Sequence, residues 1–276
     1  MRDNDLPLLD GLVGDTIRYS LAGGGKRLRG MLLLAAYRAA GGTGDASALA
    51  ASLEIVHAYS LVHDDLPCMD DDDMRRGRLS AHVAFSVADA ARAGAAMIPL
   101  AATVAHRAAR HLRLPERDCC TIVRVLMQAS GAGGMIGGQL MDLEGEGSVL
   151  SRQELDRVHA AKTGALIAAA AWIGGAAAGA GRDRLAALER YGKGAGLAFQ
   201  IMDDVLDVTS STDKLGKTAG RDVALGKSTY PALLGVDGAI VVAKSHTDEG
   251  CAALLGCGML TSELKTLASF IISRSH

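Results

Sequence analysis

The sequence predicts an all-α fold on three observations. Alanine, leucine and methionine are abundant, and only five prolines occur in 276 residues. No stretch sustains the alternation of apolar and polar residues that strands require. Most connections between the predicted helices are short, as in a helical bundle. Because no linker or shift in composition divides the chain, we expect a single helical domain over residues 1–276.

Glycine and proline mark the ends of the predicted helices. The breaks are expected at 41–44, 114–115, 145–147, 180–181 and 210–227. After the third break, Ser151 and Glu154 have the Ser-x-x-Glu spacing of a capping box. A helix should therefore begin there and carry Lys162 and Thr163 in its body. Pro99 is expected to interrupt a helix.

Composition excludes several classes of function. The net charge is -2, no basic run occurs, and aromatic residues make up only 3% of the chain, so a nucleic-acid partner is not expected. The cysteines are odd in number and lack paired C-x-x-C spacing, which favours reduced thiols in a cytoplasmic protein and argues against zinc. The amino terminus leads into no apolar secretion signal. The Ala/Gly-rich stretch 164–180 is shorter than the roughly 20 residues that span a bilayer, so we predict no membrane span.

A dense group of carboxylates lies directly before three arginines in the run 61–78. Asp64 and Asp65 follow an apolar helical pattern, and residues 70–73 are four further aspartates beyond Pro67, which helps to stop the helix. Carboxylates this close repel one another, and a divalent cation neutralises them. Guanidinium groups bind phosphate oxygens in a bidentate way. The run therefore indicates a metal-bridged phosphate, with an exposed acidic turn as the alternative.

A second aspartate cluster follows near residue 200. Asp203 and Asp207 are one helical turn apart, and Asp204 lies three residues before Asp207. This spacing aims at least two carboxylates off one face of an otherwise apolar helix. Two such clusters can hold Mg²⁺ with substrate phosphates supplying further oxygens.

Basic residues provide two further candidate groups. The glycines at 23–25 open onto Lys26 and Arg29, which are expected within one helical turn and can aim at one diphosphate. The spacing is not that of a Walker A loop, and a basic helix start on the surface is the alternative. The second group is scattered, and each member taken alone is an ordinary surface residue: Lys162, Thr163, Lys217, Arg221 and Lys227.

These motifs together resemble those of the trans-isoprenyl diphosphate synthases, of the bacterial farnesyl and geranylgeranyl diphosphate synthase type. The run His63-Asp64-Asp65-Leu66-Pro67-Cys68-Met69-Asp70, followed by Arg75-Arg76-Gly77, resembles the family's first aspartate-rich motif, and residues 199–207 resemble the second. The remaining signatures are, in order, Gly137-Gly138-Gln139, Lys162-Thr163-Gly164, Leu215-Gly216-Lys217-Thr218 and Gly226-Lys227-Ser228-Thr229-Tyr230-Pro231. The resemblance extends from about Gly23 to the end of the chain.

The resemblance implies a helical bundle around a central cavity, with the two aspartate motifs facing each other. It implies an Mg²⁺-dependent prenyltransferase that joins isopentenyl diphosphate to dimethylallyl or geranyl diphosphate, with three ions once substrate is bound. The implied metal ligands are Asp64, Asp65, Asp70, Asp203 and Asp207. The implied allylic-side residues are Arg75, Lys162, Thr163, Gln200, Lys217 and Lys227. The implied isopentenyl-side residues are Lys26, Arg29, His57 and Arg76.

Product length is expected to depend on Tyr59, five residues before Asp64. A side chain at that position points down the helix into the elongation pocket of the family, and a bulky ring should stop growth early. We therefore predict farnesyl diphosphate as the product, with geranylgeranyl diphosphate as the alternative. Tyr59 as an ordinary core aromatic is the plainer interpretation.

The chain also departs from the family pattern. The part before Gly23 is about one helix shorter, Gly30 stands where proline is usual, and Ala95 after Gly94 replaces a Gly-Asp pair in the segment 86–100. A weakly active or non-catalytic regulatory subunit on the same fold is therefore an alternative. A terpene cyclase is a second, although a cyclase has no second diphosphate to hold. The family also implies a homodimer.

Overall fold

A computed structural model describes residues 10–209 and 227–274. The first helices are α1 (Gly11–Leu21), α2 (Leu28–Ala39) and α3 (Ser47–Asp64). A short hairpin, β1 (Met74–Arg75) and β2 (Arg78–Leu79), leads into α4 (Ala81–Ala84), α5 (Val87–His111), α6 (Glu116–Ser130) and α7 (Met135–Glu144). Next come α8 (Arg152–His159), a π-helix (Ala160–Gly164), α9 (Ala165–Ala177) and α10 (Arg182–Thr209). The last two are α11 (Tyr230–Gly256), which is broken at Gly235, and α12 (Ser262–Ser273).

The all-α prediction is confirmed, and so are the first four predicted breaks. They fall between α2 and α3, α5 and α6, α7 and α8, and α9 and α10, while the fifth lies almost wholly outside the described residues. The capping box is present: the Ser151 hydroxyl accepts from the Glu154 N–H, and the Glu154 carboxylate accepts from the Ser151 N–H at 2.8 Å. The start of α8 therefore follows from local chemistry.

The predicted interruption at Pro99 is wrong, because α5 continues through it from Val87 to His111. Proline removes one backbone hydrogen bond from a helix interior, at a cost of about 3 kcal/mol. The helix keeps a buried stripe of residues on both sides of Pro99, including Ala93, Met97 and Val104, and packs along α3. Burial along the whole stripe outweighs the one missing bond.

The hairpin between α3 and α4 is a feature that the sequence pattern does not predict. Met74 pairs with Leu79 and Arg75 with Arg78, which leaves Arg76 and Gly77 as a two-residue turn. Both turn residues have positive φ, 54° and 73°, as a turn between tightly paired strands requires. The turn separates the side chains of Arg75 and Arg76, which then make different contacts.

The structure divides into two compact units. The first consists of Met1–Met31 and Gly44–Met127, and the second of Leu32–Thr43 and Gln128–His276. The single domain predicted from the sequence stays a prediction. In the first unit the core lies between α3 and α5, where Leu53, Val56 and Met97 are fully buried.

The second unit is organised around α10, which packs against α9 and α11. Small residues allow close approach: a Cβ on Gly192 would come within 2.6 Å of the Ala168 Cα, and one on Gly196 within 2.6 Å of the Gly164 Cα. The Ala/Gly-rich stretch 164–180 therefore lies tightly packed among helices of this unit.

Three helical stretches within the described part of the chain are long and apolar enough to cross a membrane by length and composition. They are Val87–His111, Glu116–Glu144 and Arg152–Ala177. The prediction that no segment spans a membrane stays a prediction. All five cysteines are free thiols, as predicted.

Candidate active site

The first aspartate motif folds back on itself at the end of α3. Asp64 is the last residue of the helix and Asp65 is its C-cap. The Asp70 N–H donates to the Asp64 carbonyl oxygen at 2.9 Å, so the four residues between Asp65 and Asp70 form a closed loop. Asp64 and Asp70, both half-buried, therefore lie side by side along the backbone.

Asp65 has a different environment, because it forms a buried ion pair with Arg75. Only 3% of Asp65 is exposed, and its carboxylate accepts from Arg75 Nε at 2.9 Å and from Arg75 Nη2. Arg75 Nη2 also donates to Asp72 Oδ2 at 3.3 Å. Burial alone would lower the pKa of Arg75, but the hydrogen bond and charge of Asp65 raise it. In this arrangement Asp65 positions Arg75, and its role as a metal ligand stays a prediction.

Two of the predicted isopentenyl-side residues, Arg29 and Arg76, lie near a third, His57, in the first unit. His57 is half-buried, and its pKa is held well below the usual value first by desolvation and then by the charges of Arg29 and Arg76. Arg76 donates to the Gly24 carbonyl oxygen, which ties the hairpin turn to the glycine loop. A neutral imidazole surrounded by guanidinium groups is an environment that favours an anion.

The glycine loop is not helical where Lys26 lies, so the expectation that Lys26 and Arg29 share a helical turn is wrong. Helix α2 begins at Leu28, and Arg27 before it has φ 50°. Gly30 in the first turn donates its N–H to Glu54 Oε1 at 2.8 Å. Proline has no N–H to donate, so this bond requires a residue other than the proline usual in the family.

Tyr59 is buried on α3, where its ring packs edge-on against His63 with centroids 4.6 Å apart. His63 is held by helix α5: its Nε2 lies 3.3 Å from the Ala91 carbonyl oxygen, and a Cβ on Gly94 would collide with the imidazole. Burial, followed by the charge of Asp64, raises the pKa of Tyr59. The Tyr59 ring is therefore held, through His63, by the segment 86–100, which is the segment that departs from the family pattern.

In the second unit, Lys162 and Thr163 lie in the π-helix that joins α8 to α9. A π-helix changes the hydrogen-bond pitch and releases backbone carbonyls from their usual partners. The Thr163 hydroxyl donates to Gln200 Oε1 at 2.8 Å. Two predicted site residues 37 positions apart are thus brought together.

Asp204 fixes the position of Gln200. The Asp204 carboxylate accepts from Gln200 Nε2 at 3.4 Å, from the Tyr230 N–H at 3.1 Å, and from His159 Nε2 at 3.1 Å. Because a carboxylate can only accept, His159 Nε2 carries the hydrogen. Asp204 therefore joins Gln200, His159 and Tyr230 through hydrogen bonds. Asp203 and Asp207, on the same helix, have different contacts.

Asp142 on α7 is a site residue that the sequence reasoning missed. Its Oδ2 accepts from Lys162 Nζ at 2.6 Å and from Lys227 Nζ at 2.9 Å. Burial would raise the pKa of Asp142, but the two lysines lower it to about 2. Asp142 lies three residues after Gln139, on the same helix face as the motif Gly137-Gly138-Gln139, and this spacing could have identified it from the sequence.

The lowered pKa of Asp142 makes a prediction about stability. A carboxyl with a depressed folded-state pKa stabilises the fold above its unfolded pKa, and that contribution is lost as pH falls towards the folded value. The shift from 3.8 to about 2 corresponds to about 2 kcal/mol. Urea unfolding of the wild type and Asp142→Asn should differ by about this amount at pH 7, and the difference should narrow as pH falls from 4 towards 3. A pH-independent difference would contradict the ion-pair interpretation.

The second aspartate motif offers two carboxylates that fit a cation. Arg274 Nη1 lies 2.8 Å from Asp203 Oδ1, and the Arg274 guanidinium lies over the Phe199 ring. Asp207 is 3% exposed, and neither carboxylate oxygen accepts a hydrogen bond from any described residue. The buried Asp207 carboxylate, which has no donor among the described residues, suits a metal ion. The Asp203 carboxylate is paired with Arg274, and its role as a metal ligand stays a prediction. Lys217 and Arg221 lie outside the described residues.

Two further observations bear on the site. Within residues 10–209 and 227–274, no three His, Cys, Asp or Glu side chains are grouped closely enough to hold a metal ion by themselves. Gln139 is buried next to the π-helix, and neither its Oε1 nor its Nε2 has a hydrogen-bond partner in that part of the chain. A buried amide with unused donors and acceptors is suited to a bound polar ligand or water.

The helical fold, the aspartate-rich motifs and the clustered cations define an all-α prenyltransferase. The chain belongs to the polyprenyl synthetase family, whose sequence model matches residues 11–246. The resemblance inferred from the motifs is therefore confirmed.

Individual relatives agree on the fold and differ in their named products. The farnesyl diphosphate synthase of Escherichia coli K12 is 44% identical over 275 residues, 98% of this chain and 92% of the relative. A chloroplastic geranylfarnesyl diphosphate synthase of Leucosceptrum canum is 41% identical, over 95% of this chain and 73% of the relative. The crystal structure of a geranyltransferase from Helicobacter pylori, complexed with magnesium and isoprenyl diphosphate, superposes with a TM-score of 0.85 at 29% identity, over 98% of this chain and 91% of that one.

Proposed function

We propose that the protein condenses isopentenyl diphosphate with an allylic diphosphate, dimethylallyl or geranyl, to make farnesyl diphosphate. The observation that carries this proposal is a set of contacts that meet at the π-helix of the second unit: Thr163 donates to Gln200, and the adjacent Lys162 shares the Asp142 carboxylate with Lys227. Neighbouring residues of the π-helix and their partners thus carry two ammonium groups suited to a diphosphate and two neutral oxygens suited to a carbocation. The farnesyl diphosphate synthase relative supports the same reaction.

Ionisation of the allylic substrate requires that charge on the leaving diphosphate be neutralised. Mg²⁺, which the Helicobacter pylori structure contains, would supply Lewis-acid stabilisation of the leaving group when bound. The proposed ligands are Asp64, Asp65, Asp70, Asp203 and Asp207. Arg75 and the lysines Lys162, Lys217 and Lys227 would contact the same diphosphate and stabilise its developing negative charge.

The positive charge on the allylic carbon needs oxygen dipoles that do not react with it. The Thr163 hydroxyl, the Lys162 backbone carbonyl and Gln200 Oε1 can provide them. Asp204, which His159 contacts, holds Gln200 in place, so the dipoles require little reorganisation during the reaction.

The second diphosphate is assigned to the basic cluster of the first unit. Lys26, Arg29, His57 and Arg76 are the residues proposed to hold isopentenyl diphosphate. Burial first, and then the nearby guanidinium groups of Arg29 and Arg76, lower the pKa of His57, which is consistent with a positively charged cluster. A terpene cyclase has no second diphosphate to bind, so this cluster favours chain elongation.

Replacing Tyr59 with alanine is expected to lengthen the product. The ring is buried and braced by His63, so its removal opens space below the first aspartate motif. Product analysis with geranyl and isopentenyl diphosphates should show geranylgeranyl diphosphate increasing at the expense of farnesyl diphosphate. Tyr59→Phe, which keeps the ring, is the matched control and should leave the product unchanged. An unchanged product from Tyr59→Ala would assign Tyr59 to the core alone.

The proposed function is tested by incubating the purified protein with Mg²⁺, isopentenyl diphosphate and either dimethylallyl or geranyl diphosphate. The expected result is a farnesyl chain identified by mass spectrometry. Cyclised hydrocarbon from geranyl or farnesyl diphosphate alone would support the cyclase. Folded protein with no elongation would favour the regulatory subunit. A cytoplasmic location, a homodimer and three ions per site are proposed with the function.

A further inference from the structure

We infer that Asp142 is a positioning residue that holds Lys162 and Lys227 as one pair for the allylic diphosphate. The inference rests on the proposed function, because that function assigns both lysines to the same substrate. The inference adds Asp142 to the proposed allylic-diphosphate site, and it explains why the positively charged Lys162 and Lys227 lie together there.

The geometry is that of one oxygen shared by two ammonium groups. Lys162 Nζ lies 2.6 Å and Lys227 Nζ 2.9 Å from the same atom, Asp142 Oδ2. The two lysines are 65 positions apart in the sequence, one in the π-helix and the other just before α11. Like charges at this separation repel, and a shared carboxylate removes that repulsion before substrate arrives.

Helix α7, which carries Asp142, packs directly against the π-helix, which carries Lys162. A Cβ on Gly138 would collide with the backbone nitrogen of Lys162, so α7 and the π-helix are in direct contact. Asp142 follows Gly138 by four residues, one turn along the same face of α7. The carboxylate is therefore fixed relative to Lys162, and Lys227 is added from another segment.

Acidic neighbours of this pair provide an internal comparison. Glu146 Oε1 lies 3.3 Å from Lys227 Nζ, and among the described residues this is its one ion pair. Glu144, on the same helix as Asp142, is exposed. Asp142 pairs with both lysines, Glu146 pairs with Lys227, and Glu144 is in no described ion pair. The number of lysine contacts thus falls from two to one to none across the three acidic residues.

A diphosphate that meets two aligned ammonium groups loses less freedom on binding than one that must order two separate lysines. Asp142 contacts the lysines and not the reacting atoms, so its effect should fall on allylic-substrate binding. Isopentenyl diphosphate is assigned to the other basic cluster and should be unaffected.

The experiment compares Asp142→Asn, Asp142→Glu, Glu146→Gln and Glu144→Gln in the full-length protein with Mg²⁺. The KM for geranyl diphosphate should rise about tenfold in Asp142→Asn, the scale of one lost charged contact, while the KM for isopentenyl diphosphate stays within twofold. Glu146→Gln should give a smaller rise, Glu144→Gln none, and Asp142→Glu should recover part of the loss. Circular dichroism melting checks that each variant is folded.

Calorimetry with inorganic diphosphate separates this inference from the proposed function. Weaker diphosphate binding by Asp142→Asn in a protein without transferase activity would support the lysine pair and reject the reaction. An unchanged or lower KM for geranyl diphosphate, or equal rises for both substrates, would overturn the inference. If Asp142→Asn does not fold, Glu146→Gln decides: a raised allylic KM supports the pair, and an unchanged one rejects it.

Discussion

Replacing Asp203 with asparagine is expected to lower kcat about 10²- to 10³-fold, the range seen when one group that stabilises transition-state charge is removed. Asp203 presents a half-exposed carboxylate beside Arg274 on the helix that also carries Asp207. A neutral amide keeps the shape of the side chain but binds Mg²⁺ far less well. The measurement is the steady-state rate of farnesyl diphosphate formation at saturating concentrations of both substrates.

The control for this prediction is Asp183→Asn, the same change at an exposed position in the first turn of α10. It should leave kcat within twofold. Mg²⁺ titration gives a second readout, because the loss of a ligand should shift the midpoint to higher metal concentration. Asp203→Asn with normal turnover and a normal Mg²⁺ midpoint would reject Asp203 as a ligand.

The second large effect is on stability: Arg75→Ala should destabilise the protein by about 3 kcal/mol, the cost of breaking a buried ion pair. The change leaves the Asp65 carboxylate 3% exposed with its strongest partner gone. Arg92→Ala is the matched control, since Arg92 pairs with Asp89 at 3.4 Å on the surface. That exposed pair should contribute less than about 1 kcal/mol. Urea denaturation of both variants measures the difference.

The pH dependence of the stability lost in Arg75→Ala identifies the cause of that loss. Burial raises the pKa of Asp65, and without Arg75 nothing comparable opposes this effect. The folded state then holds a proton that the unfolded state releases, so stability falls as pH rises through the carboxyl range. The Arg75→Ala deficit should therefore shrink as pH falls from 7 towards 4. The double variant Arg75→Ala/Asp65→Asn should recover part of the free energy of unfolding that Arg75→Ala loses. A loss that does not change with pH would contradict the buried-charge explanation.

Features that depend on neighbouring residues were predictable from the sequence. The four described breaks and the capping box at Ser151 follow from glycine, proline and hydrogen-bonding side chains within a few positions. The wrong predictions at Pro99 and Lys26 concern segments where packing against other elements overrides local preference. Helix α5 survives its proline through burial along α3, and the loop at Lys26 is tied to Arg76 through the carbonyl of Gly24.

By itself, the sequence determined the helical class, the family and most of the residues that carry charge in the site. Only the tertiary structure decided how those charges are paired. Asp65 pairs with Arg75 in the first strand of a hairpin that the sequence pattern does not predict, Asp204 anchors Gln200, and Asp142 pairs with two lysines 20 and 85 positions away. Equivalent-looking aspartates acquire different roles because burial and distant partners, which local spacing does not encode, set the free energy of each charge.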